Sequence, residues 1–475
     1  MPDMVPPSKV FIETFGCQMN EYDTQLVRSI LKNRGYTFTD SADAADIVLL
    51  NTCAIRENAH NKVYGHLGML KGLKKERGLV IGVLGCMAQN LKKELLGDDS
   101  LIDVLAGPDS YRSLPALLDQ AAAGRKGLAV DLSEYETYAD IVPDRIEGVT
   151  AWVAVMRGCD NFCTFCVVPY TRGRERSREC ENVVREVEAV AAGGCKQVTL
   201  LGQNVNSYRD GAHDFADLLL AVAAVPGIER VRFTSPHPKD FPDKLLEAVA
   251  GHPRICKHIH LPLQAGHDRI LELMGRTYTR AEYLALVNRI RRACPDIVLT
   301  TDIIAGFCSE SEGEFGDTYD LVRQVEFHSA FIFKYSERKH TIAARKFADD
   351  VPDAVKSDRV TRLVELQRAI SLKKNRALLG KTVELLVEGE GKRSSDQWMG
   401  RTDGNLVTVF PKRGLAPFRE SENVWATALP EKVPDPVSSL QNEKLPVPVP
   451  PLKPGSLTAV RITDATATTL YAETI

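Results

Sequence analysis

Arg157-Gly158-Cys159-Asp160-Asn161-Phe162-Cys163-Thr164-Phe165-Cys166-Val167-Val168-Pro169-Tyr170-Thr171-Arg172-Gly173-Arg174-Glu175-Arg176-Ser177-Arg178 sets three thiols into eight residues at the spacing C-x3-C-x2-C. A cubane iron-sulfur cluster has four irons, so three cysteines leave one iron open to an outside ligand. A ferredoxin run closes all four corners with thiolates. The alternative is a structural zinc ion held by three thiolates and a histidine. The stretch contains no histidine, and its spacing is not the doubled C-x2-C of a zinc knuckle. The apolar run Trp152–Met156 leads into the loop, so the thiols leave the end of a predicted strand.

That strand opens a series. Five more apolar runs, Gln197–Leu201, Arg230–Thr234, His258–Leu263, Val298–Ile304 and Ala330–Lys334, alternate with helical patterns. The alternation predicts a partial (β/α) barrel of six units over residues 145–377, with its active site at the C-terminal ends of the strands. Those ends are polar and Gly-rich: Gly202-Gln203-Asn204, Ser235-Pro236-His237-Pro238, Gln264-Ala265-Gly266 and Gly306 to Glu310. They read equally well as ordinary barrel loops.

Upstream, residues 1–144 repeat one arrangement three times. The apolar runs Val10–Ile12, Ile47–Leu50 and Leu79–Leu84 lead to Cys17, Cys53 and Cys86, and helical patterns at Glu21–Asn33 and Glu57–Lys75 separate them. This predicts parallel strands of an α/β layer whose sites lie beyond the carboxyl ends. One strand-end cysteine reads as a small buried residue. Three in the same topological position read as a second three-thiolate cluster, with Gly16 and Gly85 letting the backbone approach a bulky cofactor.

Downstream, Lys356–Arg376 reads as a helix with seven Lys and Arg against two acids, a connector or an RNA contact or else a solvated face. From 378 to 475 the pattern changes to short alternating runs, Thr382–Val387, Leu406–Phe410, Leu457–Ile462 and Leu470–Ile475. They predict a small, OB-like antiparallel β-barrel interrupted by a Pro-rich insertion near Leu429–Pro454. Lys392, Arg393, Trp398 and Arg401 would supply a single-stranded RNA surface there, through charge and base stacking.

The 475 residues suggest two to four domains, and 44% hydrophobic with 26% charged residues is an ordinary globular composition. A net charge of -3 excludes a general polycation, so nucleic-acid contact has to come from a local patch. Met1–Val10 lacks the regions of a secretory signal and no apolar run reaches the ~18 residues of a membrane helix. The expectation is a cytoplasmic chain, without membrane contact, whose eleven cysteines are reduced thiols and metal ligands.

The cysteine loop resembles that of the radical S-adenosylmethionine enzymes. Together with Glu13–Asn20, Asn51–Ala59, Cys166–Glu175, Leu201–Tyr208, Met274–Arg280 and Asp396–Asp403, it resembles the methylthiotransferase family along the whole chain. Within the family the resemblance points to the branch acting on isopentenylated adenosine in tRNA, with Asp396–Asp403 in the domain called TRAM. It implies two [4Fe-4S] clusters, one on Cys159, Cys163 and Cys166 and an auxiliary one on Cys17, Cys53 and Cys86. It implies S-adenosylmethionine as both methyl donor and radical source, with contacts from Phe165, Gln203, Ser235, Gly306 and Glu310. The implied partners are tRNA with isopentenylated adenosine at position 37, an electron donor such as flavodoxin or ferredoxin, and a sulfur donor. The implied enzyme is a monomer that methylthiolates C2 of that adenosine, a C–H bond acid-base groups cannot activate.

Three departures from the family pattern border the barrel mouth: Cys308-Ser309 and Lys339-His340 where Pro-Gly is common, and His267 where Ser is common. Cys180, Cys195, Cys256, Cys294 and Cys308 read as structural. Two other readings remain: a sister enzyme acting on threonylcarbamoyl-adenosine or on a ribosomal-protein aspartate, and a non-catalytic iron-sulfur RNA-binding redox sensor.

Overall fold

The computed structural model describes residues 8–54, 57–97, 100–145, 148–412 and 452–475. It divides into two compact units, the second beginning at Asn375.

In the first unit, β1 (Lys9–Phe15), β2 (Thr37–Phe38), β3 (Ile47–Thr52), β4 (Val80–Leu84), β5 (Val104–Ala106) and β6 (Gly127–Ala129) form a parallel sheet in the order β2-β1-β3-β4-β5-β6. The three predicted runs are β1, β3 and β4. The short strands β2, β5 and β6 carry too few residues for any period to show. β3 is buried at every position, as a central strand covered on both faces must be. Its alternate residues part: Leu49 joins a core with Val10, Leu26 and Tyr138, while Val48 and Leu50 join one with Ile81, Val83 and Met87.

The Leu49 core also takes in Ala154 and Leu201, which belong to the barrel that follows. Its strands are β7 (Thr150–Ala154), β8 (Gln197–Leu201), β9 (Arg230–Phe233), β10 (His258–His260), β11 (Val298–Ala305) and β12 (Ser329–Lys334). They pair in parallel as β9-β8-β7 and β10-β11-β12, with an isolated bridge from Val231 to Ile255, just before β10. Six strands in chain order make the open barrel that the alternation predicts. Helices such as Phe215–Ala224, Arg280–Ala293 and Glu312–Val325 start at reciprocal capping boxes, Asp214/Asp217, Thr279/Glu282 and Ser311/Glu314. Each satisfies two backbone donors that the first turn leaves open.

The basic helix, Asp353–Arg376, is neither a solvated face nor an RNA contact along its inner side. Lys356 and Arg359 are buried there. Arg359 Nη1 donates to Glu310 Oε2 at 2.9 Å, and Lys356 pairs with Asp349. Burial makes such pairing obligatory, since an unpartnered charge there is costly.

The second unit is a closed barrel of β13 (Thr382–Gly391), β14 (Ser394–Thr402), β15 (Val407–Pro411), β16 (Leu457–Ala465) and β17 (Leu470–Thr474), in the order β13-β14-β15-β17-β16. Leu385, Val387, Phe410, Val460, Ile462 and Leu470 fill it. One pair, β15 with β17, is parallel, so the barrel is not antiparallel throughout. The sequence reading omits β14 because Ser-Ser-Asp-Gln-Trp-Met-Gly-Arg-Thr shows no apolar alternation. The expected Pro-rich insertion lies outside the described residues apart from 452–454.

Candidate metal centres

The loop after β7 is closed by a short antiparallel pairing of Met156 with Ser177 and Arg157 with Arg176. Gly158, at φ +77, has no room for a side chain: a Cβ would lie 1.9 Å from the Arg174 carbonyl oxygen. Thr164 ties the loop to the barrel, its N–H donating to Met274 O at 2.8 Å and its Oγ1 to Leu273 O at 2.7 Å. Cys159 and Cys163 are buried and Cys166 half-buried. Burial pushes the Cys159 thiol up to about 11 and the Cys166 thiol up to about 12, and charge on Cys163 pushes both the same way. Such thiols ionise when a positive core arrives to hold them.

Arg276 is a residue of this site that sequence reasoning missed as such, though the Met274–Arg280 run contains it. Its Nη1 reaches Cys163 Sγ at 3.5 Å, Nε donates to Tyr278 OH at 3.0 Å and Nη2 to Pro262 O at 3.1 Å. The fork geometry of a guanidinium serves all three partners at once.

The five expected cofactor contacts divide. Phe165 packs half-buried on the barrel core. Gln203, just past β8, has a buried Oε1 that lacks a hydrogen-bond partner, and Ser235 stands at φ +59 just past β9. Gly306 and Glu310 instead face the Asp353–Arg376 helix. A Cβ at Gly306 would meet Lys356 Cγ at 2.3 Å, and Glu310 Oε2 accepts from Gly306 N and Arg359. Burial raises Glu310 to about 7 against those two donors, and its Oε1 has no partner.

His237, in the loop after β9, resembles Gln203 in kind. It is buried, its Nδ1 accepts from Lys239 N at 3.3 Å, and its Nε2 is unpartnered. Burial, then Arg276 and Lys239, pull its pKa down to about 2, so the ring is neutral and Nε2 carries the proton. Unsatisfied buried polar atoms at strand ends are what a polar ligand would complete.

The second triad is gathered from three strand ends. Cys17 caps the Gln18–Lys32 helix, Cys53 follows β3, and Cys86 opens the short helix after β4. A hydrogen bond from Cys53 pulls the Cys17 thiol down to about 6 against burial, aided by Arg172 and the N–H groups of Asn20 and Met19. Burial pushes Cys86 up while Arg172 pulls it down. An asparagine pair fixes the geometry: Asn20 Nδ2 donates to Asn51 Oδ1 at 3.1 Å and Asn51 Nδ2 to Asn20 O at 2.9 Å.

The glycines make room for this pair. A Cβ at Gly16 would sit 2.9 Å from Cys53 Cβ and 2.5 Å from Asn20 Oδ1, and one at Gly85 2.4 Å from Asn51 Oδ1. Among the described residues no three His, Cys, Asp or Glu side chains close on a single-ion site.

The two centres are neighbours in one unit. Cys86, Ala54 and Val167 form a small apolar contact between them. Four of the five arginines of the opening stretch are buried in ion pairs: Arg157 and Arg172 with Asp23 at 2.7 and 2.8 Å, Arg176 with Asp109 at 3.0 Å, and Arg178 with Glu186 at 2.6 Å; Arg174 is exposed and pairs with Asp160 at 2.8 Å.

In the second unit Lys392 and Arg393 are exposed at the β13–β14 turn. Trp398 is half-buried with Lys412 Nζ 4.6 Å from its ring centroid, and Arg401 Nε lies 3.3 Å from Glu388. At the barrel mouth, His267 Nδ1 accepts from Arg269 N at 3.1 Å, so it caps a helix as Ser would. Ser309 and His340 stand at φ +59 and +71, the left-handed region that favours glycine. The five remaining cysteines are all buried.

Comparison with known proteins accounts for all three regions. Residues 9–107 match the uncharacterized protein family UPF0004, 153–322 the radical SAM superfamily, and 376–418 the TRAM domain. A tRNA-2-methylthio-N6-dimethylallyladenosine synthase of Porphyromonas gingivalis is 50% identical, over 86% of this chain and 90% of its own. Synthases of that name from Chloroherpeton thalassium and Bacteroides thetaiotaomicron are each 48% identical, covering 86% and 88% of this chain and 91% and 93% of theirs. The chain belongs to the tRNA-2-methylthio-N6-dimethylallyladenosine synthase family. It is a radical SAM methylthiotransferase with two [4Fe-4S] clusters. The chain shares its fold with the radical S-adenosylmethionine methyltransferase TsrM of Kitasatospora setae: TM-score 0.54 at 14% identity, covering 71% of this chain and 77% of that one. No described helix is long and apolar enough to cross a membrane.

Proposed function

We propose that Cys159, Cys163 and Cys166 hold one [4Fe-4S] cluster and Cys17, Cys53 and Cys86 the other, and that the chain uses them to methylthiolate C2 of N6-isopentenyladenosine at position 37 of tRNA. The observation that carries this reading is the pair of thiol triads at the strand ends of two neighbouring parallel sheets, in a chain of this family. When bound, the clusters and S-adenosylmethionine would supply the one-electron chemistry and the methyl group, and the auxiliary cluster would hold the sulfur.

The chain's own residues position and insulate. Arg276 sets a fixed positive charge against Cys163. His237, neutral and buried, offers its Nε2 proton to a polar ligand group, and Gln203 offers Oε1 as an acceptor. The Asn20–Asn51 pair holds Cys17 and Cys53 on adjoining strand ends. Lys392, Arg393, Trp398 and Arg401 give the terminal barrel its RNA face. Domain limits near residues 144 and 377, a cytoplasmic monomer, a one-electron donor of the flavodoxin or ferredoxin type and a separate sulfur source complete the proposal.

The test is mass spectrometry of nucleosides from isopentenyladenosine tRNA, incubated anaerobically with reconstituted protein, S-adenosylmethionine and a strong reductant. The 2-methylthio nucleoside and 5′-deoxyadenosine are expected together. Formation of 5′-deoxyadenosine with only threonylcarbamoyl-adenosine tRNA or a ribosomal protein modified would move the substrate to a sister target.

A further inference from the structure

Arg172 ends the short helix that begins two residues after Cys166, yet its head lies among residues of the first domain. It is 3% exposed. One terminal nitrogen, Nη2, donates to Asp23 Oδ2 at 2.8 Å, and the other, Nη1, is buried without a hydrogen-bond partner. Asp23 is already engaged, accepting from Arg157 at 2.7 Å and from the Tyr111 hydroxyl at 3.3 Å. Arg157 in turn lies 4.7 Å from the Tyr138 ring centroid.

Arg157, Arg172 and Arg176 thus share two carboxylates, those of Asp23 and Asp109. One positive charge is left over in a buried site, which is costly unless an anion meets it. The helix that ends at Arg172 packs against the short helix opened by Cys86, whose side chain touches Val167, and beyond Asp23 the groups acting on the guanidinium are Cys86, the Tyr111 hydroxyl and Cys17. Three thiolates around a doubly positive oxidised cluster core leave one net negative charge, and net charge is among the factors that set a cluster's potential.

We infer that Arg172 is the charge partner of the auxiliary cluster: its buried guanidinium holds that cluster's potential up and links it, through Asp23 and Arg157, to the loop of the radical cluster. This rests on the assignment of Cys17, Cys53 and Cys86 as cluster ligands. Removing the positive charge favours the oxidised cluster, and removing the negative charge of Asp23 favours the reduced one. Opposite signs are the mark of electrostatics, since loss of packing would not reverse between the two.

The experiment is a potentiometric titration, followed by electron paramagnetic resonance, of the reconstituted full chain carrying Arg172→Gln, Arg172→Lys or Asp23→Asn, with iron content measured on each. Arg172→Gln should lower the auxiliary midpoint potential, Arg172→Lys should leave it close to wild type, and Asp23→Asn should raise it, with the radical cluster shifted less in every case. If Arg172→Gln cannot be loaded, the Lys and Asn variants decide by the same signs. Full iron with an unmoved potential, or shifts of one sign in the Gln and Asn variants, overturns the role of Arg172 alone. A wild-type chain that binds only half the iron of two clusters overturns the ligand assignment first.

Discussion

The two thiol triads are built in opposite ways. One comes from eight consecutive residues on a loop pinned by a two-residue pairing and by Thr164. The other is assembled from three strand ends between positions 17 and 86, and exists only when β1, β3 and β4 lie side by side. A contiguous triad needs a loop, whereas a dispersed one needs a folded sheet. The first should therefore tolerate damage to the parallel sheet that the second does not.

The strongest way to break the comparison is at the ligands. Cys163→Ala should reduce reductive formation of 5′-deoxyadenosine to background, measured by chromatography with S-adenosylmethionine and dithionite; cleavage by a well-loaded variant would remove the loop from the reaction. Cys53→Ala should keep that cleavage within a few-fold of wild type and abolish the methylthio nucleoside. Normal product from it would mean that the dispersed triad is not part of the mechanism.

Gly85→Ala sharpens the contrast without touching a ligand. At φ +84 and ψ -155 the backbone is in a region only glycine occupies readily, and a Cβ would strike Asn51. It should lower unfolding stability by about 1–3 kcal/mol and lose auxiliary iron before the contiguous triad loses its own. Denaturant titration with iron analysis reads both.

Trp398→Ala addresses the second unit. Because Lys412 already covers part of the ring, binding of tRNA should weaken by about 1 kcal/mol, the low end for one stacked base, with iron content unchanged. A filter-binding assay that finds unchanged affinity would make Trp398 a structural residue. The smallest effect is His340→Gly, which relieves a left-handed residue and should raise stability by about 0.5–1 kcal/mol, seen as a higher denaturant midpoint.

The same contrast explains what the sequence made legible. Spacing alone singles out Cys159, Cys163 and Cys166. The dispersed triad was legible only because three apolar runs end alike. The barrel strands followed from alternation, but β2, β5 and β6 have no room for a pattern, and β14 is polar on paper because burial of its flank comes from the closed barrel.

Long-range pairing stayed hidden for the same reason. Nothing near Glu310 announces Arg359, and nothing near Arg172 announces Asp23. The partners of Arg172 and Arg176, Asp23 and Asp109, lie 149 and 67 residues away in the chain. Ser309 and His340, by contrast, stand out against the family pattern, and both occupy the left-handed region that a glycine would accept without strain.

Mössbauer spectroscopy of protein reconstituted with enriched iron tests the two-centre account most directly, on wild type beside Cys17→Ala/Cys53→Ala/Cys86→Ala and Cys159→Ala/Cys163→Ala/Cys166→Ala triple variants. The account predicts two [4Fe-4S] clusters in wild type and one in each triple variant, with half the iron. A triple variant that keeps the full wild-type load, or a wild type with a single cluster, would contradict it.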